Sequence, residues 1–168
     1  MSLPDRRKAL LLLLAAAPLT VGGLAACTFT PSYAPGGPAS AMLGAIRVAN
    51  PDSKNAFDLV ERLEERLGRP QAARFDLEYQ ITTNRIGVGI TPENAITRYN
   101  LTGQVNWQLK DDSGATRAEG LAQSFTSWSA TGSTVAGLAA EEDAAYRLMR
   151  ILADQIVTRL IATAGQFL

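Results

Sequence analysis

The feature that most constrains the fold is a regular alternation of apolar and polar side chains in the middle of the chain. Over residues 75–82 the apolar side chains occupy the odd positions, and residues 98–109 repeat this pattern. Successive side chains of an extended strand point to opposite faces of its sheet, so each run predicts a strand with one buried and one wet face. A third strand is predicted over residues 116–128, after a turn at residues 111–114.

Two irregularities interrupt this pattern. Leu121 and Phe125 occupy odd positions and Trp128 an even one, so in a regular strand they would point to opposite faces of the sheet. This mismatch predicts a bulge, a twist or a strand end near Thr126. Residues 84–94 contain two glycines and a proline, and they predict a hairpin loop or an irregular strand end.

Two further segments have the spacing of helices. In residues 55–67 the apolar side chains recur every three or four positions, between a capping cluster at residues 50–53 and a stop signal at Gly68. Residues 138–160 carry a wide apolar stripe that follows acidic residues in the first turn. With a short strand within residues 43–48, the order is β-α-β-β-β-α. Because these strands need cover on one side only, the predicted fold class is α+β: two helices packed on one face of a four-stranded, mostly antiparallel (mixed) sheet.

Residues 1–26 are predicted to be a signal peptide. A basic start at residues 6–8 precedes an apolar run at residues 9–17, which is too short to span a bilayer as a helix. The sequence Leu-Ala-Ala-Cys at residues 24–27 resembles the lipobox of bacterial lipoproteins, whose cysteine is acylated and becomes the first residue of the mature chain. Cys27 is the only cysteine, so it has no disulfide partner within the chain, and a buried core thiol is the alternative to lipid attachment. We therefore predict a covalent lipid on Cys27.

The same segment bears on export and on the target membrane. Arg6 and Arg7 fit a twin-arginine signal, but Asp5 and Ala9 depart from that motif, so Sec export is favoured and the twin-arginine route stays open. Thr28 follows the anchor at a position where aspartate resembles an inner-membrane retention signal. The predicted location is therefore the periplasmic face of the outer membrane.

Composition and charge limit the functions of the mature chain. Residues 27–42 are rich in Pro, Gly, Ser and Ala and predict a flexible tether, which leaves residues 43–168 as a single domain. The signal peptide holds three of the 16 basic and one of the 16 acidic residues, so the mature chain keeps 13 and 15 and has a net charge of −2. This balance disfavours nucleic-acid binding.

Catalytic chemistry is also disfavoured. The chain has no histidine, and no motif in it pairs a nucleophile with a base or groups metal ligands at a known spacing. We therefore predict no enzymatic activity, no metal, and no cofactor apart from the lipid on Cys27.

In its order of elements and its lipobox the chain resembles the LptE family of lipopolysaccharide-assembly lipoproteins. The stretches that carry the resemblance are residues 27–31, 95–101, 123–126, 141–144 and 152–160. The resemblance implies a structural role in the outer membrane: the protein plugs the lumen of the β-barrel LptD from the periplasmic side, supports barrel assembly and helps to deliver lipopolysaccharide to the outer leaflet. The chain departs from better-known members in having few lysines.

Because of the resemblance, basic side chains in the predicted strands and in the loops between them are candidate contacts for lipopolysaccharide or for the barrel. They lie at predicted strand ends and loops, where lipid phosphates or anionic sugars accept charge-assisted hydrogen bonds, but ordinary surface cations are the alternative. A tryptophan beside the predicted register change is added as a partner contact. The wet sheet face, rich in Asn, Gln and Thr, suits hydrogen bonding inside a polar barrel lumen. The candidates are Arg85, Arg98, Lys110, Arg117 and Trp128.

Two other functions stay open. The chain is alternatively a periplasmic auxiliary lipoprotein of a lipid-transport ABC system, which stable residence in the inner membrane would distinguish. The third possibility is a lipid-anchored enzyme that uses carboxylates or a serine. That function requires a deep apolar pocket with adjacent buried carboxylates.

Overall fold

The computed structural model of the chain describes residues 31, 33–130 and 132–168. The predicted signal peptide and Cys27 lie outside the described residues, and the elements below belong to one compact unit, Ser32–Leu168. In chain order these elements are helix α1 (Pro38–Met42), strand β1 (Ile46–Val48), helix α2 (Lys54–Leu67), strands β2 (Phe75–Ile90), β3 (Ile96–Asp111) and β4 (Thr116–Ser129), helix α3 (Thr134–Thr163) and a 3-10 turn (Ala164–Gln166).

The strands form one four-stranded sheet in the order β1-β2-β3-β4. β1 pairs with β2 in parallel, and the other two pairs are antiparallel. Helix α3 packs on β3 and β4, and α2 packs on α3 and β1, which creates one continuous apolar core. The face of the sheet that meets the helices is called the inner face, and the opposite one the outer face. The predicted fold class is confirmed, and α1 is an additional short helix.

Helix α2 has the start and stop that the sequence predicts. The Ser53 hydroxyl accepts a hydrogen bond of 3.2 Å from the Ala56 N–H, which satisfies a free donor of the first turn. At the other end Gly68 adopts a φ of 76°, a left-handed conformation that glycine takes without strain, and its N–H bonds to the Glu64 carbonyl. The apolar positions between them, including Leu59 and Leu63, are fully buried.

Helix α3 approaches the sheet closely because glycine occupies the crossing point on β3. A Cβ placed on Gly103 would lie 2.9 Å from Leu148 Cδ2 and 3.2 Å from Leu152 Cδ1, so any side chain there would require these two leucines to move. The helix is longer than predicted: its N-cap is Ser133, whose hydroxyl accepts from the Ala136 N–H at 3.3 Å.

The bulge predicted as one explanation of the parity change near Thr126 is wrong, and β4 ends three residues later, at Ser129. Strand β4 pairs with β3 without a break from Ala118 to Ser129, and the register shift lies at the other end, between Leu109 and Lys110. Small and polar side chains of β4 face α3, as the buried Thr126 shows by donating a 2.8 Å hydrogen bond to the Ala144 carbonyl. The large apolar residues of odd parity, Leu121 and Phe125, therefore point outward and stay exposed.

The segment predicted as a hairpin loop or irregular strand end contains both: residues 84–90 are an irregular strand end, and residues 91–94 form the hairpin loop. β2 continues to Ile90, and the tip of the β2–β3 hairpin is closed by a 2.9 Å bond from the Thr91 N–H to the Ala95 carbonyl. Register shifts occur around Gly89, which is where the glycines interrupt the alternation.

The free edge of β4 is covered at its midpoint by a side chain of α3. The Gln123 N–H donates to Gln155 Oε1 at 3.1 Å, and Gln155 Nε2 donates to the Gln123 carbonyl at 3.1 Å. The glutamine amide thus takes the place of a peptide group on a neighbouring strand. This pairing fixes the backbone of Gln123 and protects an edge that would otherwise attract other strands.

The two ends of the domain differ, and we name them by their elements. The lower pole contains α1, the β3–β4 turn and the 3-10 turn, and the hairpin pole contains the β2–β3 tip and the start of α3. At the lower pole Phe75 and Phe167 make an edge-on ring contact at 5.5 Å. Ala39 and Met42 of α1 are buried there, so the folded part begins before residue 43, within the segment predicted as tether.

Candidate interaction surfaces

Two of the predicted contact residues, Arg85 and Trp128, form a stack with Tyr99 at the hairpin pole. The Arg85 guanidinium lies 5.3 Å from the ring centre of Tyr99, and Tyr99 stacks on Trp128 with ring centres 5.2 Å apart. Arg85 also pairs with Glu141 at the start of α3, at 3.0 Å. Only 7% of Trp128 is exposed, because it lies on the inner face. Packing on Tyr99 therefore accounts for this ring, and its role as a partner contact stays a prediction.

The other three basic candidates each bind a neighbour within the sheet. Arg98 Nη2 donates to the Ser127 hydroxyl at 2.8 Å, and Lys110 Nζ donates to Glu78 Oε2 at 2.6 Å. Arg117 Nε donates to Asp111 Oδ2 at 2.6 Å beside the β3–β4 turn. Ion pairs near the surface, such as that of Lys110 with Glu78, contribute little to stability.

The carboxyl of Asp111 organises that turn. It accepts bonds from the Ser113 hydroxyl, from Arg117 and from the N–H groups of Ala115 and Ser113. These donors, the Ser113 hydroxyl first among them, lower the pKa of Asp111 to about 2. A depressed pKa means that the contribution of this carboxylate to stability is complete above its unfolded value of about 4, and is lost as the pH falls through about 2.

The structure does not bring the four basic residues together. Arg85 and Arg98 lie towards the hairpin pole, whereas Lys110 and Arg117 lie at the lower pole. Arg98 and Lys110 are twelve residues apart on one strand, about 40 Å at 3.3 Å per residue. They therefore do not form one anion site within the domain, and each stays a separate predicted contact.

Two exposed features were not identified as sites from the sequence. The hairpin carries several exposed apolar side chains, of which Val88 is 49% exposed. On the outer face, Phe125 is 63% and Leu121 is 52% exposed, among polar neighbours. The odd position of Phe125 was the signal in the sequence that this side chain lies on the outer face, but it was interpreted as evidence for a bulge, a twist or a strand end. The exposed hairpin residues are Ile86, Val88, Ile90 and Ile96.

The enzymatic alternative gains no support from the part of the chain that the structure describes. The buried carboxylate there is Asp58, which pairs with Lys54 at 3.2 Å, and no group of three or more His, Cys, Asp or Glu residues is placed to hold a metal ion. Within the same residues no helix is long and apolar enough to cross a membrane.

The fold and its surfaces define an α+β domain that offers hydrogen-bonding and apolar surfaces to partners. A family model for LptE, described as lipopolysaccharide-assembly, matches residues 43–160. The chain therefore belongs to the LptE family. Comparison with curated protein sequences gave no significant match.

Solved structures share this fold. A protein from Caulobacter crescentus CB15 described as a lipoprotein is 22% identical, with a TM-score of 0.64 over 76% of this chain and 95% of that one. Rare lipoprotein B from Shewanella oneidensis is 13% identical, with a TM-score of 0.57 over 72% of this chain and 95% of that one. A minor lipoprotein from Acinetobacter baumannii is 16% identical, with a TM-score of 0.53 over 70% and 88%.

Proposed function

We propose that the chain is an outer-membrane lipoprotein, anchored through Cys27, that sits in the lumen of an LptD-type β-barrel. There it supports assembly of the barrel and helps to deliver lipopolysaccharide to the outer leaflet, and it catalyses no reaction. The observation that carries the proposal is the family match over residues 43–160. The lipoprotein structures from other bacteria with the same fold are consistent with a lipid anchor.

The geometry of the domain supports an orientation in the barrel. Helix α1 is the first element of the folded unit and lies at the lower pole. Cys27 comes before α1 in the chain, so the chain that leads from the anchor joins the domain at this pole. Helix α3 has 30 residues and is about 45 Å long, which exceeds the roughly 25 Å apolar band of an outer-membrane barrel. A domain standing upright in the lumen would therefore place its hairpin pole farthest from the periplasm.

The surfaces are consistent with such a lumen. The centre of the outer face presents mostly neutral polar side chains, and barrel interiors are polar. The exposed apolar residues of the hairpin, Val88 and Ile90 among them, offer a contact that a free domain leaves in water.

Affinity purification of the tagged full chain from gently solubilised outer membranes tests the proposal. We expect an LptD-type barrel to co-purify, and an unrelated tagged lipoprotein to recover none. Val88→Asp should lower barrel recovery, because a charge would be buried in the contact, whereas Phe57→Asp should not. Phe57 is a matched control, because it is 59% exposed on α2 and far from the hairpin. Absence of the barrel under mild conditions would contradict the proposal.

A further inference from the structure

The centre of the outer face is uncharged over three strands. Residues 80–84, 102–106 and 121–125 contain no Asp, Glu, Lys or Arg. Cross-strand pairs on this face join Gln80 to Asn106, Asn84 to Thr102 and Gln104 to Gln123. We call these six residues the amide face.

The amide face is held in a defined arrangement. Gln123 Nε2 donates to Gln104 Oε1 at 3.2 Å, and the Gln123 backbone is fixed by its two bonds to Gln155. The Thr102 hydroxyl donates to the Asn84 carbonyl at 3.1 Å. The residues that carry the remaining amide donors and acceptors are exposed or half-buried, so a ligand can reach these groups.

A large apolar side chain stands beside these groups. Phe125 is opposite Thr102 on the neighbouring strand and is 63% exposed. Together with Asn84, Gln104 and Gln123 it lines a concavity of about 450 Å³. A second concavity of about 590 Å³ lies along the same strands, but its lining includes Glu78 and Glu119 beside Gln80 and Asn106, so it is not part of the uncharged surface. The first concavity is open to solvent, so a ligand would lie along the sheet and not in an enclosed pocket.

The chemistry of the surface selects among ligand classes. Phosphate requires cations, and the centre of this face has none. An acyl chain on this face would leave the hydrogen-bonding groups of six polar side chains without partners, which costs free energy. Sugar hydroxyls both donate and accept hydrogen bonds, as amides do, and the C–H face of a sugar ring packs on an aromatic ring. An uncharged surface with one exposed aromatic ring is therefore complementary, in charge and in shape, to uncharged sugar residues.

We propose that the amide face and Phe125 bind the saccharide part of a glycolipid. The inference rests on the proposed function, because it takes the ligand to be part of the lipopolysaccharide that the assembly delivers. It adds a location and a chemistry: uncharged sugars lie along the outer face of β2, β3 and β4. Phosphates and acyl chains of the same molecule bind elsewhere.

The test uses the full chain in a detergent without a sugar headgroup. The probe is the saccharide released from lipopolysaccharide by mild acid and then dephosphorylated. In ¹⁵N-labelled protein, we expect the side-chain NH₂ signals of Gln104 and Gln123 to shift on titration. Phe125→Ala should weaken binding roughly tenfold, whereas Phe57→Ala, which removes an equally exposed ring from α2, should leave it unchanged.

The outcomes separate this inference from the proposed function. Failure of the saccharide to bind, or equal binding by Phe125→Ala and the unaltered chain, would overturn the sugar site, while co-purification with the barrel would still support the proposed function. Sugar binding that depends on Phe125 in a chain that recovers no barrel would retain the site and overturn the proposed function. Circular dichroism of each variant would show that the fold is intact.

Discussion

Cys27→Ser is expected to release the protein from the membrane. The thiol is the predicted attachment point for diacylglycerol, and the chain contains no other cysteine that could replace it. Two or three acyl chains hold a protein stably on a bilayer, whereas a chain without them depends on its protein contacts alone. Fractionation of cells should show the unaltered protein in the outer membrane and the variant in the soluble fraction or as an unprocessed precursor.

Thr30→Ser is the matched control for this substitution, since it changes a neighbouring hydroxyl residue and leaves the lipobox intact. Mass spectrometry of the unaltered protein should give an N-terminus at Cys27 with the mass of attached lipid. An unmodified thiol at that position, or a mature chain that begins elsewhere, would refute the anchor.

Leu152→Ala is expected to lower the free energy of unfolding by about 2–5 kcal/mol, the usual cost of truncating a fully buried leucine. Leu152 lies where α3 crosses the sheet over Gly103, so the cavity would open where helix and sheet approach closely. The neighbouring Ile151→Ala is the control, because Ile151 faces outward and its loss should cost less than about 1 kcal/mol. Chemical unfolding followed by circular dichroism measures both, and equal effects would contradict the described packing of α3.

Most of the fold was predictable because its elements carry strong local signals. The alternation in β2 and β3, the helical spacing of α2 and the cap-and-glycine pair at Ser53 and Gly68 are properties of neighbouring residues. The fold class followed from the rule that sheets with one apolar face need one layer of helices.

Strand β4 was misread because two of its large apolar residues, Leu121 and Phe125, lie on its exposed side, while Trp128 lies on its buried side. Close approach of α3 leaves room there for Ala122 and Thr126, and a hydrogen bond to the Ala144 carbonyl satisfies the hydroxyl. Exposed Phe125 then resembles a core residue in sequence. Whether small residues of a strand face the helix while large ones face solvent depends on the distance between the helix and the sheet. The pattern of residues along a strand does not encode that distance.

The candidate contacts were harder to predict for a related reason. Basic residues are identifiable in a sequence, but the structure pairs Arg85 with Glu141 and Lys110 with Glu78, and it separates these pairs between the two poles. The amide face becomes visible only when the register aligns Gln104 with Gln123 and places Phe125 beside them. Register between strands is a long-range property.

The most direct test of the central claim is photocrosslinking in living cells. A photoreactive amino acid at Arg98, on the outer face near the hairpin pole, should yield a covalent adduct with an LptD-type barrel, and so should one at Val88. The same group at the exposed Arg69, beyond the lower-pole end of α2, should yield little barrel adduct, because the proposed orientation turns that pole towards the periplasm. If folded, membrane-bound protein gives no barrel adduct from the hairpin pole, the chain does not sit in the barrel.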